Sequence, residues 1–214
     1  MKSKLLMAAL AIALLAVSIQ LTSAKSDSRQ QTADDAAVYQ AILSRTSVRA
    51  YTEQAVEKAK VEKMLRAAMA APSAVNKQPW HFVVINNKNT LGQIARLTPN
   101  TGMAAGAPLA IVVCGDMKKA LDGEGRDFWV QDVSAATENL LLEAHALGLG
   151  AVWTGVYPIK DKVKAIRELL KLPETIVPLT TVVIGYPKEA PRPKDKWKPA
   201  NISYNTFGGK DVAE

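Results

Sequence analysis

The run Leu109-Ala110-Ile111-Val112-Val113-Cys114 is apolar at every position. Successive side chains of a strand point to opposite faces of its sheet, so a strand without one polar residue must be covered on both faces. This excludes a sheet with one wet face and demands helices on either side. The longest helical pattern runs from Phe128 to Leu147. Val130, Val133, Thr137, Leu140, Leu141 and Ala144 keep the i, i+3, i+4 spacing, while Ala135, Ala136 and Leu142 fill other faces. A helix apolar almost all round is buried, either centrally or against a second subunit, and Gly148 is its stop.

Shorter helices are predicted over Asp34–Leu43 (Asp34 as cap; Val38, Ile42 and Leu43 on one face), Thr90–Leu97 and Asp161–Leu172. Another covers Val56–Ala71, with Ala59, Leu65, Ala68 and Met69 as its buried stripe and Pro72 ending it. His81–Ile85, Ala151–Thr154 and Leu179–Ile184 read as further strands. Arg45–Tyr51 reads as an extended or irregular segment, Gly123–Gly125 as a loop, and Asn100–Ala107 as a small, glycine-rich, mobile stretch. Helices and strands mix without regular βαβ alternation. The class is α+β, in one domain over residues 34–214.

The chain begins with a basic head, Lys2 and Lys4, then an apolar run from Leu5 to Val17, then Leu21-Thr22-Ser23-Ala24. These are the parts of a secretory signal peptide cut near Ala24, and the run is shorter than the ~20 residues of a spanning helix. Residues 1–24 are therefore expected to leave, with no stable membrane anchor, placing the product in a periplasm or outside the cell. There is no twin arginine, which favours export of an unfolded chain. Residues 25–33 read as a flexible lead-in. The formal charge of +7 is spread along the chain except for a cluster from Lys188 to Lys198, so nucleic-acid binding is a weak reading and attraction for a phosphorylated ligand fits equally well. Cys114 is the single cysteine, so no intrachain disulfide forms, and its apolar neighbours make it core filler.

Several common chemistries lack their residues. Gly148-Leu149-Gly150 follows a helix and has no third glycine, so it is no dinucleotide fingerprint, and no phosphate-binding G-x-x-x-x-G-K-[ST] exists. His81 and His145 are the only histidines, and no cluster has metal-ligand spacing. No G-x-S-x-G elbow supports a serine hydrolase. What remains is a set of anion and amide groups. Arg45, Ser47 and Arg49 alternate in an extended segment, so they can share a face, and two guanidinium forks with a hydroxyl either suit a phosphate or another anion or form a solvated basic edge. Arg192 and Lys194 offer a second cationic pair. Pro72-Ser73-Ala74-Val75-Asn76-Lys77-Gln78-Pro79-Trp80 joins a helix to a strand between two φ-fixing prolines. It carries a hydroxyl, two carboxamides and an indole, either as a rigid turn bonded to its own backbone or as a binding loop.

Four stretches together resemble the nitroreductase family of FMN-dependent oxidoreductases. They are Arg45-Thr46-Ser47-Val48-Arg49-Ala50-Tyr51, the Pro72–Trp80 loop with its strand, the passage Asn139–Gly155, and Val183-Ile184-Gly185-Tyr186-Pro187 followed by Arg192 and Lys194. The resemblance implies a nitroreductase-like mixed central sheet flanked by helices, with FMN at the interface of a homodimer. Arg45, Thr46 and Ser47 would hold the phosphate and ribityl end, completed by Arg192 and Lys194. Arg49 would lie near the pyrimidine edge, where its charge stabilises the reduced ring. Pro72, Ser73, Asn76 and, as an addition, Gln78 would come from the other chain. Trp153, Thr154 and Gly155 would line the ring and give it a backbone or hydroxyl donor. The implied reaction is ping-pong hydride transfer from NAD(P)H through the flavin to a nitroaromatic, quinone or similar small acceptor, with no catalytic side chain required. Phe128 and Trp129 are either walls of the acceptor pocket or packing groups. Other readings of the same fold are a flavin or tetrapyrrole carrier without turnover, and a dehalogenating or flavin-fragmenting branch. Export would further separate the enzyme from cytoplasmic nicotinamide and points to another donor or a quinone-like acceptor.

Overall fold

The computed structural model describes residues 36–97 and 99–210; the expected signal peptide, the lead-in and the Asp34 cap lie outside them. Residues 36–44 are helical (α1); one unit extends to Leu43, and the chain from Ser44 onward forms a second. No helix among the described residues is long and apolar enough to cross a membrane.

The second unit is built on four strands: β1 (Trp80–Ile85), β2 (Leu109–Asp116), β3 (Gly150–Gly155) and β4 (Ile176–Gly185), in the order β1-β2-β4-β3. Every pairing between them is antiparallel. The parallel component of the expected mixed sheet is a single bridge from Ser47 to Ala151. The helices are α2 (Lys58–Met69), α3 (Lys88–Leu97), α4 (Phe128–Ala146) and α5 (Lys160–Leu170).

The apolar run of β2 is sandwiched as its composition requires. Leu109, Ile111 and Val113 join one core cluster with Met64 and Ala68 of α2 and Trp129, Val133, Ala136 and Leu140 of α4. Ala110, Val112 and Cys114 join the other with Leu91 and Ile94 of α3 and Ile166 of α5. The central partner β4 is sandwiched likewise through Val182 and Ile184 on one face and Val183 on the other. Pro178, which has no N–H for the ladder, sits where the β2–β4 register slips after Val113, the position that suits a proline within a sheet.

Two expectations shift. The buried stripe of α2 is carried by Met64 and Ala68, flanked by Val61 and Leu65, whereas Ala59 and Met69 face outward. Contact with α4 fixes this rotation, and the Asn139 amide donates to the carbonyl of Ala67 at 3.0 Å. The stretch read as mobile instead winds into 3₁₀ turns over Pro99–Gly106. Its small residues let it pack closely: Ala104 and Ala107 are buried, and the buried Thr101 hydroxyl donates to the Ile94 carbonyl at 2.8 Å. Gly148 takes a φ of 75° and ends α4 as expected. Trp129 is buried and meets Tyr157 edge-on at 4.9 Å, a packing role, while Phe128 is half exposed.

Gly150 sets how closely residues 45–51 can approach the sheet. A Cβ there would stand 2.6 Å from Cβ of Val48, so only glycine lets that segment lie against the edge of β3. Gly150→Ala is expected to cost ~1–3 kcal/mol of stability through overpacking, read as a lowered denaturant midpoint. Cys114 is wholly buried, and burial pushes its thiol up to about 12. It should therefore stay unreactive toward a thiol reagent at pH 8 in the folded protein and titrate fully in denaturant, since only the thiolate reacts.

Candidate functional site

The segment from Arg45 to Tyr51 straps the outer edge of β3. The Val48 amide donates to the carbonyl of Ala151 at 3.0 Å, beside the Ser47–Ala151 bridge. Tyr51 secures its far end, with a buried hydroxyl lying between the carbonyls of Val48 and Val183. Burial raises the pKa of that phenol well above its ordinary value, against a smaller opposing pull from Arg49. The chain leaving β4 then runs back along the strap: Tyr51 bridges Pro187, and the Lys188 amide donates to Ala50 at 3.0 Å.

Strap and returning chain wall a cleft of about 470 Å³ lined by residues 45–50 with Glu189, Pro191, Arg192, Lys194 and Lys196. Arg45, Arg49, Arg192, Lys194 and Lys196 thus face one cavity with Glu189 as its single acid. Arg45 is fixed by α4, its Nε lying 3.0 Å from Glu138 Oε1 with the side chain only 19% exposed. Two turns further along α4, His145 Nε2 lies 2.7 Å from Ser44 Oγ. The start of the strap is therefore pinned twice to one helix face. Among the described residues no acid lies within ion-pair distance of Arg49, Arg192, Lys194 or Lys196, so the cleft keeps a strong attraction for an anion.

A second cleft of about 490 Å³ adjoins it, lined by Arg49, Asn100, Met103, Val152, Trp153, Thr154 and Gly155. Arg49 belongs to both. The Thr154 hydroxyl, one of the two donors expected for the ring, is committed elsewhere. It is buried and donates to the Thr181 carbonyl at 2.6 Å, while the Thr154 carbonyl accepts from Thr180 Oγ1 at 2.9 Å. The other expected donor, a main-chain amide, remains open. The Ala151 carbonyl turns outward to Val48, and polar groups alternate along an edge strand, so Trp153 and Gly155 also aim their amides outward. Around Gly155 the space is open, with no atom within 4 Å of a Cβ built there.

The Pro72–Trp80 loop joins α2 to β1. Val75, Asn76 and Gln78 hold φ values of 50°, 54° and 49°, a left-handed geometry that costs a non-glycine residue roughly 1–2 kcal/mol. Internal bonds offset this cost. The Gln78 amide donates to Ser73 Oγ at 2.9 Å, and the Gln78 side-chain amide donates to Asn76 Oδ1 at 2.9 Å. The Ala74 amide donates to Asp132 Oδ1 of α4 at 2.8 Å. Ser73 thus bonds the loop backbone as a structural turn would.

Of the residues singled out from sequence, Arg45, Thr46, Ser47, Arg49, Arg192 and Lys194 converge on the first cleft, and Arg49, Trp153, Thr154 and Gly155 on the second. Pro72, Ser73, Asn76 and Gln78 line neither cleft of their own chain. Sequence reading missed Lys196, although alternation from Arg192 and Lys194 would have placed it on the same face. It also missed Asn100 and Met103, for which the glycine-rich stretch gave no signal.

The chain resembles known proteins over most of its length. The model of the Nitroreductase family matches residues 42–101 and 92–186. A Methanothermobacter thermautotrophicus protein named "Putative NADH dehydrogenase/NAD(P)H nitroreductase" is 45% identical over 77% of this chain and 85% of its own. The solved structure of a Parabacteroides distasonis protein of the same name superposes with a TM-score of 0.75 at 41% identity, covering 79% of this chain and 98% of that one. A Desulfovibrio desulfuricans structure, a "putative nitroreductase in complex with FMN", gives a TM-score of 0.67 at 31% identity, covering 79% and 97%. Arg192, Lys194 and Lys196 lie beyond the part matched by the family model.

If five cations make the first cleft, Lys194→Ala and Lys196→Ala should each weaken binding of a phosphate monoester several-fold. Wild-type affinity should also fall with added salt; calorimetry at two ionic strengths checks both.

Proposed function

The chain belongs to the nitroreductase family, and from that premise we propose that it is an FMN-dependent NAD(P)H oxidoreductase acting on a nitroaromatic, quinone or similar small acceptor. The observation that carries this reading is Arg49, shared by a basic cleft and an open strand edge. FMN has that two-part character, a phosphate at one end and a ring rimmed with hydrogen-bond acceptors at the other. The residues fit it: Arg45, Thr46, Ser47, Arg192, Lys194 and Lys196 would hold the phosphate end. Arg49 would sit between phosphate and ring, and the outward amide of Gly155 would donate to the ring, with Trp153 beside it. When bound, FMN supplies reversible two-electron transfer between a nicotinamide donor and the acceptor. The chain's own task is electrostatic and steric: to fix the cofactor, to offset negative charge with Arg49, and to leave one side of the ring open.

We further propose a homodimer in which Pro72, Ser73, Asn76 and Gln78 serve the cofactor of the partner. Their absence from both clefts of their own chain supports this. So does Leu142 of α4, an apolar residue outside the buried face of the helix that remains partly exposed. Residues 1–24 are proposed to act as a signal peptide that directs the protein to a periplasm or the exterior. The basic head and short apolar run support that reading, and FMN would then be acquired after export. Scarcity of NAD(P)H outside the cytoplasm would then point to another donor or to a quinone-like acceptor.

The test is the visible spectrum of the purified chain reconstituted with FMN, followed without oxygen. Flavin bands are expected to bleach with NADH or NADPH and return on adding a nitroaromatic or quinone. Bands that form but do not bleach with either nicotinamide would point to another donor or to the carrier reading; a chain that binds no flavin would sink the proposal.

A further inference from the structure

We propose that Gln78 and Asp132 are positioning residues. They preset the Pro72–Trp80 loop so that Asn76 presents its amide N–H groups, and not its carbonyl, to an acceptor atom of a flavin held by a second copy of the chain. This rests on the reading that the loop serves the partner's cofactor, and it assigns Gln78 to act through Asn76.

A carboxamide has one accepting and one donating end. In this loop Asn76 has its accepting end engaged, because Gln78 Nε2 donates to Asn76 Oδ1 at 2.9 Å. Asn76 is exposed, so its Nδ2 hydrogens are left facing solvent. The two side chains can meet at i, i+2 because both residues hold a left-handed φ, Asn76 at 54° and Gln78 at 49°.

That backbone is not a low-energy choice for an exposed loop without glycine, and Val75 between Ala74 and Asn76 is β-branched with a φ of 50°. Asp132 is the group that holds it. This carboxylate is only 7% exposed on α4 and accepts the Ala74 amide at 2.8 Å. A buried carboxylate is costly unless it is hydrogen-bonded, and this one is placed under the turn that carries Val75 and Asn76. The Ser73 hydroxyl, accepting from the Gln78 amide at 2.9 Å, closes the other side. Two bonds therefore hold the turn, and the third, from Gln78, orients the exposed carboxamide before any ligand arrives. Such preorganisation removes an ordering cost from binding. A donor presented in this way matches the carbonyl oxygens and ring nitrogens of a flavin.

The experiment measures FMN affinity by fluorescence quenching, the absorption maximum of bound flavin, and the melting temperature of the apoprotein. The proteins are wild type, Asn76→Ala, Gln78→Met, the double variant, Asp132→Asn and Asp132→Ala. Asn76→Ala should weaken FMN about tenfold. Gln78→Met should weaken it several-fold and move the flavin absorption toward that of Asn76→Ala, yet add nothing in the Asn76→Ala background. Asp132→Asn keeps an accepting oxygen and should bind nearly as wild type, whereas Asp132→Ala should lose affinity. Full additivity of the Asn76 and Gln78 effects would overturn the proposal. So would Asp132→Asn falling as far as Asp132→Ala, or unchanged affinity in Asn76→Ala. If Asp132→Ala does not fold, the Gln78 cycle and Asp132→Asn decide alone. Failure of the wild type to bind FMN would defeat the functional reading itself; binding by the wild type with any of the other adverse results would defeat only this inference.

Discussion

The antiparallel ladder between β2 and β4 is the interaction on which the rest of the molecule depends. Both strands are buried along nearly their whole length, so their backbone polar groups have no access to water and must pair with neighbouring strands. Satisfying them needs a partner on each side, which β1 and β3 provide. The side chains in turn need a layer above and a layer below. Once the ladder forms, the two-sided packing of α2 and α4 against α3 and α5 follows from the alternation of strand side chains.

The candidate site exists because the sheet stops at β3. An edge strand has one row of main-chain groups without a partner, which proteins commonly cover or distort. Here the cover is partial. The strap takes the carbonyl of Ala151 and leaves the strand open at Trp153 and Gly155, so a structural liability becomes a row of directed donors. The same strap carries Arg45, Ser47 and Arg49, which places cationic groups beside those donors without a dedicated loop. Glu138 and His145 on α4 hold its beginning; Tyr51 and Pro187 hold its end.

Much of this was legible in the sequence, for reasons that differ by residue. The strands and α4 stand out because burial forces unbroken or periodic apolar patterns, whereas alternation picks out Arg45, Ser47 and Arg49 without accounting for Thr46, Val48 and Ala50, which line the same cleft. The rotation of α2 was not legible. Ala59, Leu65, Ala68 and Met69 make as good a stripe as Val61, Met64, Leu65 and Ala68, and the choice is made by α4. Asn100–Ala107 misleads for a related reason, since small residues suit both a mobile loop and a tight 3₁₀ turn, and the buried bond from Thr101 to Ile94 decides. Thr154 has the right residue type at the right place, yet its hydroxyl is spent inside the sheet, which only the β3–β4 register reveals. The left-handed backbone at Val75, Asn76 and Gln78 has no glycine to announce it.

Arg49 contributes to both clefts at once, which binds their evolution together. A substitution that draws its guanidinium toward the phosphate side withdraws charge from the strand edge, and the reverse also holds. The two halves of the site cannot drift independently toward new ligands; selection acting on one is felt by the other through a single side chain. Adaptation is freer at the periphery, where Lys194 and Lys196 touch one cleft only and lie on a segment outside the sheet. Change in the anion-binding half should therefore accumulate in the returning chain and spare the strap.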